Sequence, residues 1–235
     1  MADPHTYRSI HFGVETLSGD ETHVPRHRHL GGYANVVLAG SFVESSFAGR
    51  MLVEAGDVLL HGRFDCHANL PRSRRVQVLR LPWEQDAVEG QFRVRDPDRL
   101  AILAARDPYE AMRVLAEELR PLLSREQHWT HTLASWLASG STLSLHQCAR
   151  KLGIRPYELS RGFRCEFGVS PKLFRLEARS RRAWAALFRS SRSLTQIAQD
   201  HGFSDLAHMS RSIRALTSHS PTEWRELTQH GALNG

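Results

Sequence analysis

Two side-chain patterns in this 235-residue sequence have the types and spacing for recognition chemistry. The first is Ser160-Arg161-Gly162-Phe163-Arg164, which returns in register as Ser210-Arg211-Ser212-Ile213-Arg214. A guanidinium is a planar fork of donors that suits phosphate oxygens and the O6/N7 edge of guanine. The second is His27-Arg28-His29. Alternate residues of a strand point to one face, so His27 and His29 would converge there. Neutral imidazoles so placed suit a divalent metal.

The arginine pattern sits inside a longer repeat. The segment from Ser144 to Ile154 matches the one from Ser193 to Phe203 at Ser, Leu, Gln, Ala and Gly, with a constant offset of 49. The second copy then gains one residue, and Ser160, Arg161, Arg164, Ser170 and Pro171 match Ser210, Arg211, Arg214, Ser220 and Pro221 at an offset of 50. Each copy has the logic of a helix-turn-helix. Ser144 and Ser193 cap a first helix. Ala149 and Ala198 are small where a second helix must come close. Gly153 and Gly202 supply the backbone freedom of a tight turn. Ile154 and Phe203 plug the gap, and second helices are expected over about 156–167 and 205–217. A plain helical bundle explains the apolar positions, but not why both second helices carry Ser-Arg-x-apolar-Arg in register.

The rest of the chain must position these patterns. Hydrophobic residues make up 41% and charged residues 24%, the composition of a soluble globular protein. The first twenty residues lack the apolar core of a signal peptide, and no apolar run approaches the roughly 20 residues needed to cross a bilayer. The expected location is the cytoplasm, with no membrane partner. Three cysteines at wide spacing argue against a disulfide framework, and Cys148 reads as a packing residue. From residue 130 onward there are 15 basic and 7 acidic side chains, a net of +8, while the remainder nets −2. A basic C-terminal part points to a polyanion partner.

Residues 1–82 read as short strands broken by glycine turns, which indicates a β-sandwich or barrel. Asp96-Pro97 and Asp107-Pro108 are helix start signals, so 83–125 is expected to be a helical connector and a candidate dimerisation element. A third helix is expected from about Glu126 to residue 137, and the last domain spans 126–235. The fold class is thus α+β with two domains.

Residues 149–153, 159–164, 167–171, 197–205 and 209–211, with Ser220-Pro221, resemble the DNA-binding domain of the AraC/XylS family of regulators. The resemblance implies two helix-turn-helix units, 144–167 and 193–217, joined by a long helix. Here that helix would run over about 172–188, about 26 Å long, which suits two recognition helices in successive major-groove segments. The expected DNA contacts are Tyr157, Ser160, Arg161 and Arg164 in the first unit, and Ala207, His208, Arg211 and Arg214 in the second. For any one arginine, phosphate contact is at least as expected as base readout. The implied partners are a double-stranded operator, RNA polymerase if the protein activates, and a second copy in a homodimer. One departure is Thr217-Ser218-His219, where the family has a glycine turn like Phe167-Gly168.

In the N-terminal part, His27-x-His29 followed by Tyr33 and Gly40 resembles the first cupin motif, and Gly56-Asp57 followed by His67 the second. The resemblance implies a cupin-like effector-sensing barrel. His27, His29 and His67 would supply three imidazoles for one divalent ion, zinc, nickel or iron. Tyr33 stands where the cupin pattern has a glutamate ligand. Tyr33, His61, Cys66 and Asn69 are the candidate pocket residues for a small-molecule effector. Without a metal, the same histidines would hydrogen-bond a ligand or the core. The resulting expectation is a ligand-responsive transcriptional regulator and no enzyme. The alternative is a cupin metalloenzyme that carries a DNA-binding domain.

Overall fold

The computed structural model describes residues 9–18, 23–83, 90–122 and 128–229. Ten strands and nine helices are formed among them, β in the first half and α in the second. The strands are β1 (Gly13–Ser18), β2 (Val24–Arg28), β3 (Tyr33–Ala39), β4 (Ser41–Ser46), β5 (Gly49–Glu54), β6 (Asp57–His61), β7 (Cys66–Pro71), β8 (Arg75–Pro82), β9 (Gly90–Arg93) and β10 (Arg120–Pro121). The helices are α1 (Pro97–Ala104), α2 (Pro108–Glu118), α3 (Trp129–Ala138), α4 (Leu145–Leu152), α5 (Pro156–Phe167), α6 (Pro171–Arg189), α7 (Leu194–Asp200), α8 (Leu206–Thr217) and α9 (Pro221–Gln229).

All strand pairs are antiparallel and form two sheets, β1-β8-β3-β6-β9-β10 and β2-β7-β4-β5. Val37, Leu59, Val76 and Val78 of the larger sheet pack on Phe42, Met51 and Val53 of the smaller, which makes a sandwich core. The outer face of the larger sheet is also apolar. Ala34, Val36, Val58, Leu60, Leu79 and Leu81 pack there against Leu100 of α1 and Ala111 and Leu115 of α2. Burial on both faces explains why β3 and β6 read as nearly unbroken apolar runs.

The segment 83–125 therefore differs from the expected connector. Its strands β9 and β10 extend the larger sheet, with Asp57 paired to Arg93 and Phe92 to Pro121. Its helices start as expected at Asp96 and Asp107, whose carboxylates accept backbone N–H groups. Their apolar faces are taken up by the sheet, while Ile102 and Tyr109 stay exposed. The proposed start of the next helix at Glu126 lies outside the described residues; α3 is in place from Trp129.

The outer face of the smaller sheet meets the helices. Phe47, Phe64 and Cys66 share one buried cluster with the cores of α3 to α9. The molecule is thus layered: α1 and α2, the larger sheet, the smaller sheet, then the helical domain. Close approach is built into the sequence at the last junction. A Cβ on Gly49, whose φ is +118°, would lie 2.2 Å from the His131 ring of α3.

Candidate nucleic-acid interface and histidine cluster

Each helix-turn-helix forms over the expected residues. Ser144 and Gln147 make a capping box at the start of α4, and Ser193 and Gln196 make the same box on α7. Gly153 closes α4 with φ 67°, and Gly202 holds the equivalent turn with φ 71°. The extra residue of the second copy lies in this turn: 153–155 separate α4 from α5, and 201–205 separate α7 from α8. It lets Asp205 cap α8 by accepting the His208 N–H at 2.6 Å, whereas α5 starts on Pro156 without a side-chain cap. Phe163 and Ile213 are fully buried, which turns the arginines on either side of them outward.

Tyr157, Ser160, Arg161 and Arg164 form an exposed stripe on α5. Tyr157 is 69% exposed, and its hydroxyl accepts from Arg161 Nη1 at 3.0 Å, so the ring braces the guanidinium on the open face. Gly162 in the middle of this helix makes room for α3, since a Cβ there would lie 2.8 Å from the Trp129 ring. On α8, Ala207, Arg211 and Arg214 are exposed, but His208 is half-buried. The His208 ring hydrogen-bonds Ser204 Oγ at 3.1 Å and sits edge-on to Phe203, so it braces the turn. Arg214 pairs with Glu223 of α9 at 2.8 Å. Arg161 and Arg211 hold equivalent places in the two stripes. The linking helix α6 has 19 residues, about 28 Å long.

Ser218 ends α8 with φ 66°, the same left-handed cap that Gly168 gives α5 with φ 72°. This conformation costs an L-residue about 1–2 kcal/mol, part of which a glycine returns as unfolded-chain entropy. Ser218→Gly should raise unfolding stability by about 0.5–1 kcal/mol, read from the urea midpoint. A lower midpoint would show that contacts of the serine outweigh the backbone strain.

In the β domain, His27 lies opposite His67 across β2 and β7. Ligand nitrogens of His27, His29 and His67 all fall within 4.8 Å of one another, and all three residues are buried. The His27 ring is oriented by Nδ1, 2.9 Å from the Pro25 carbonyl. Burial, then the nearby His27, His61 and His29, holds the His67 pKa well below the usual histidine range. The neutral ring is the form that ligates a metal. His67 Nε2 meets the Tyr33 hydroxyl at 3.2 Å, and its Nδ1 is buried without a hydrogen-bond partner. A cavity of about 110 Å³ opens onto the three histidines, with Asn35, Asn69 and Arg80 in its wall.

Of the expected pocket residues, Asn69 lines this cavity, and Tyr33 and His61 lie behind it as a stacked pair with ring centres 4.5 Å apart. Cys66 does not join them. It neighbours His67 on β7 and so points to the opposite face, into the core shared with the helices, where burial pushes its thiol up to about 12. Two acids that the sequence reading did not single out complete the cluster. Asp65 Oδ2 is 2.8 Å from His61 Nδ1, and Glu44 accepts from Asn69 Nδ2 at 3.2 Å. Burial raises the Glu44 carboxyl to about 7, the His61 charge opposing it. Burial would also raise Asp65, but the hydrogen bond and charge of His61, with Arg181 and Arg26 behind, hold it below its ordinary value. His61, Asp65 and His67 form a second set of close donor atoms. Neither acid has a spacing signal in the sequence; only the register of β4 against β7 brings Glu44 to Asn69.

Comparison with known proteins bears on the helical half. Residues 148–227 match the family model described as a helix-turn-helix domain. A transcriptional regulator with an AraC-type DNA-binding domain from Chromobacterium violaceum is 28% identical, over 46% of this chain and 95% of that one, with a TM-score of 0.42. The DNA-binding domain of AdpA, solved in complex with a target DNA, is 18% identical over 46% of this chain and all of its own length, with a TM-score of 0.42. ToxT from Vibrio cholerae aligns over 92% of this chain and 97% of its own at 9% identity, with a TM-score of 0.43. No curated protein sequence matches significantly. Among the described residues, no helix is long and apolar enough to cross a membrane. Residues 148–227 are thus a helix-turn-helix domain.

Proposed function

We propose that this chain is an AraC-type DNA-binding transcriptional regulator that answers to an effector held in its β domain, and that the effector site is centred on a divalent metal ion bound by His27, His29 and His67. The observation that carries this reading is the convergence of three buried imidazoles within 4.8 Å, one with an orphaned Nδ1. An unpaired buried polar atom is costly, and a metal bond would satisfy it. The donor set fits zinc, nickel or iron, which take imidazole nitrogen readily. A cupin-like barrel is the corresponding description of the sandwich. The cavity beside the histidines leaves room for a small molecule, with Asn35, Asn69 and Arg80 as polar contacts.

On the DNA side, Arg161 and Arg211 read bases in the two halves of a double-stranded operator. Tyr157, Ser160, Arg164, Ala207 and Arg214 line the same faces, and His208 holds the turn. RNA polymerase is the further partner if the protein activates, and a second copy the partner in a dimer.

Zinc titrated by calorimetry into protein stripped of metal should bind at one equivalent per chain. The variant with His27, His29 and His67 replaced by Ala should lose that binding and keep the helical signal of the C-terminal domain. No metal in protein prepared without chelator, and no uptake on titration, would reject the metal and leave the DNA-binding reading intact.

A further inference from the structure

β2 has two working faces. His27 and His29 point into the sandwich, while Arg26 and Arg28, alternating with them, point the other way into the helical domain. Arg26 and Arg28 are 4% and 0% exposed, so neither is a surface charge. Arg26 donates to Glu177 Oε2 of α6 at 2.9 Å from Nη2 and 3.3 Å from Nε. Arg28 lies 3.8 Å from Glu177 Oε1, and its Nη1 donates to the carbonyls of Ala215 and Leu216 at 3.1 and 3.0 Å. Those carbonyls belong to the last turn of α8, where helix carbonyls lack intrahelical partners and a cation is favoured by the helix dipole. The same helix carries Arg211 and Arg214. One strand therefore touches the histidine cluster with one face and holds the end of the second recognition helix with the other.

We propose that β2 is a coupling strand: a cation bound by His27, His29 and His67 re-seats β2, withdraws Arg28 from the end of α8, and so frees the second helix-turn-helix unit. This rests on the metal site proposed above. Tetrahedral zinc with bonds of about 2.0–2.1 Å brings its ligand nitrogens to about 3.4 Å from one another. Without it the nitrogens lie within 4.8 Å of one another with no common bond to fix them, so binding resets their spacing. β2 is the strand able to give, because its register against β7 is irregular between Val24 and His27. A ligand shifts an equilibrium only by its differential affinity for two states, and here the states differ in whether the three imidazoles are set at metal-bonding distance and Arg28 withdrawn.

The test is hydrogen exchange by mass spectrometry on the full chain, with and without zinc, beside calorimetry on the same sample. Zinc should speed exchange in the last turn of α8, residues 214–218, about tenfold, the size expected for the loss of a charged hydrogen bond. In Arg28→Met, which keeps the apolar stem, exchange there should be fast already and indifferent to zinc. Should that variant fail to fold, Arg28→Lys keeps the buried charge, loses the two-carbonyl fork, and should show a smaller zinc response. Zinc bound with α8 exchange unmoved overturns the coupling and leaves the metal site standing. An undiminished zinc response in the Arg28 variants also overturns it. Absence of zinc binding overturns the metal reading, and this coupling with it.

Discussion

Arg161→Ala should relax sequence preference in one half of the DNA site, and Arg211→Ala in the other. The two residues hold equivalent places on α5 and α8, both exposed, and the core residues Phe163 and Ile213 fix the direction in which they point. A fork bound bidentately to guanine is worth about 1–3 kcal/mol of discrimination, so each variant should lose about that much at one base position and little elsewhere. Arg161 starts with an advantage, because the Tyr157 hydroxyl already holds its guanidinium in place. The measurement is affinity for a panel of single-base variants of a site selected from genomic DNA, at two salt concentrations. If the arginines touch only phosphate, all sequences should weaken alike, and the salt slope should become shallower by about 0.9 per lost contact. If neither substitution has an effect in folded protein, the docking of two recognition helices is wrong.

A larger effect on stability is expected from Glu177→Ala. Glu177 is buried and is the carboxylate that Arg26 and Arg28 share between β2 and α6. Removing it leaves two buried guanidinium groups short of a counter-charge, and breaking a buried pair in this way costs about 3–5 kcal/mol. Arg26 keeps the Phe47 and Phe174 rings, each about 5 Å from its guanidinium carbon, but these offset only part of the loss. The substitution should lower the unfolding free energy of the full chain by that amount, read from urea unfolding. Replacing Glu177, Arg26 and Arg28 together with Met should cost far less, because no charge is then stranded. If the single and triple variants are equally destabilised, packing rather than charge holds this interface.

The helical half was legible because its signals are local. Ser144 and Ser193 as caps, Gly153 and Gly202 in turns, and Phe163 and Ile213 facing inward are all decided within a few residues of chain. They appear where the repeat put them. His27 and His29 were legible for the same reason, as near neighbours in the chain, His29 lying just past the end of β2. What the sequence hid depends on register and layering. Glu44 and Asp65 join the cluster only through strand pairing and a turn. Cys66, a candidate pocket residue by sequence, adjoins His67, and adjacency on a strand means opposite faces. Residues 83–125 looked like a connector because two helices dominate their pattern, while the short β9 and β10 that tie them into the sheet carry little signal. The Arg26–Glu177 contact joins residues 151 positions apart, and nothing in their spacing announces it.

The buried arginines of β2 also bear on how the chain is made. The β domain emerges from the ribosome before α6 and α8, and its smaller sheet must wait for them with its outer face uncovered. An apolar face in that position would invite association between nascent chains. This one presents Phe47, Phe64 and Cys66 beside two charged guanidinium groups, so the waiting surface stays wetted until Glu177 and the end of α8 arrive. Charges that add little net stability to the finished protein thus act as a solubility guard during synthesis. Met at Arg26, Arg28 and Glu177 together would be expected to cost the finished fold little and still send more of the newly made protein into aggregates.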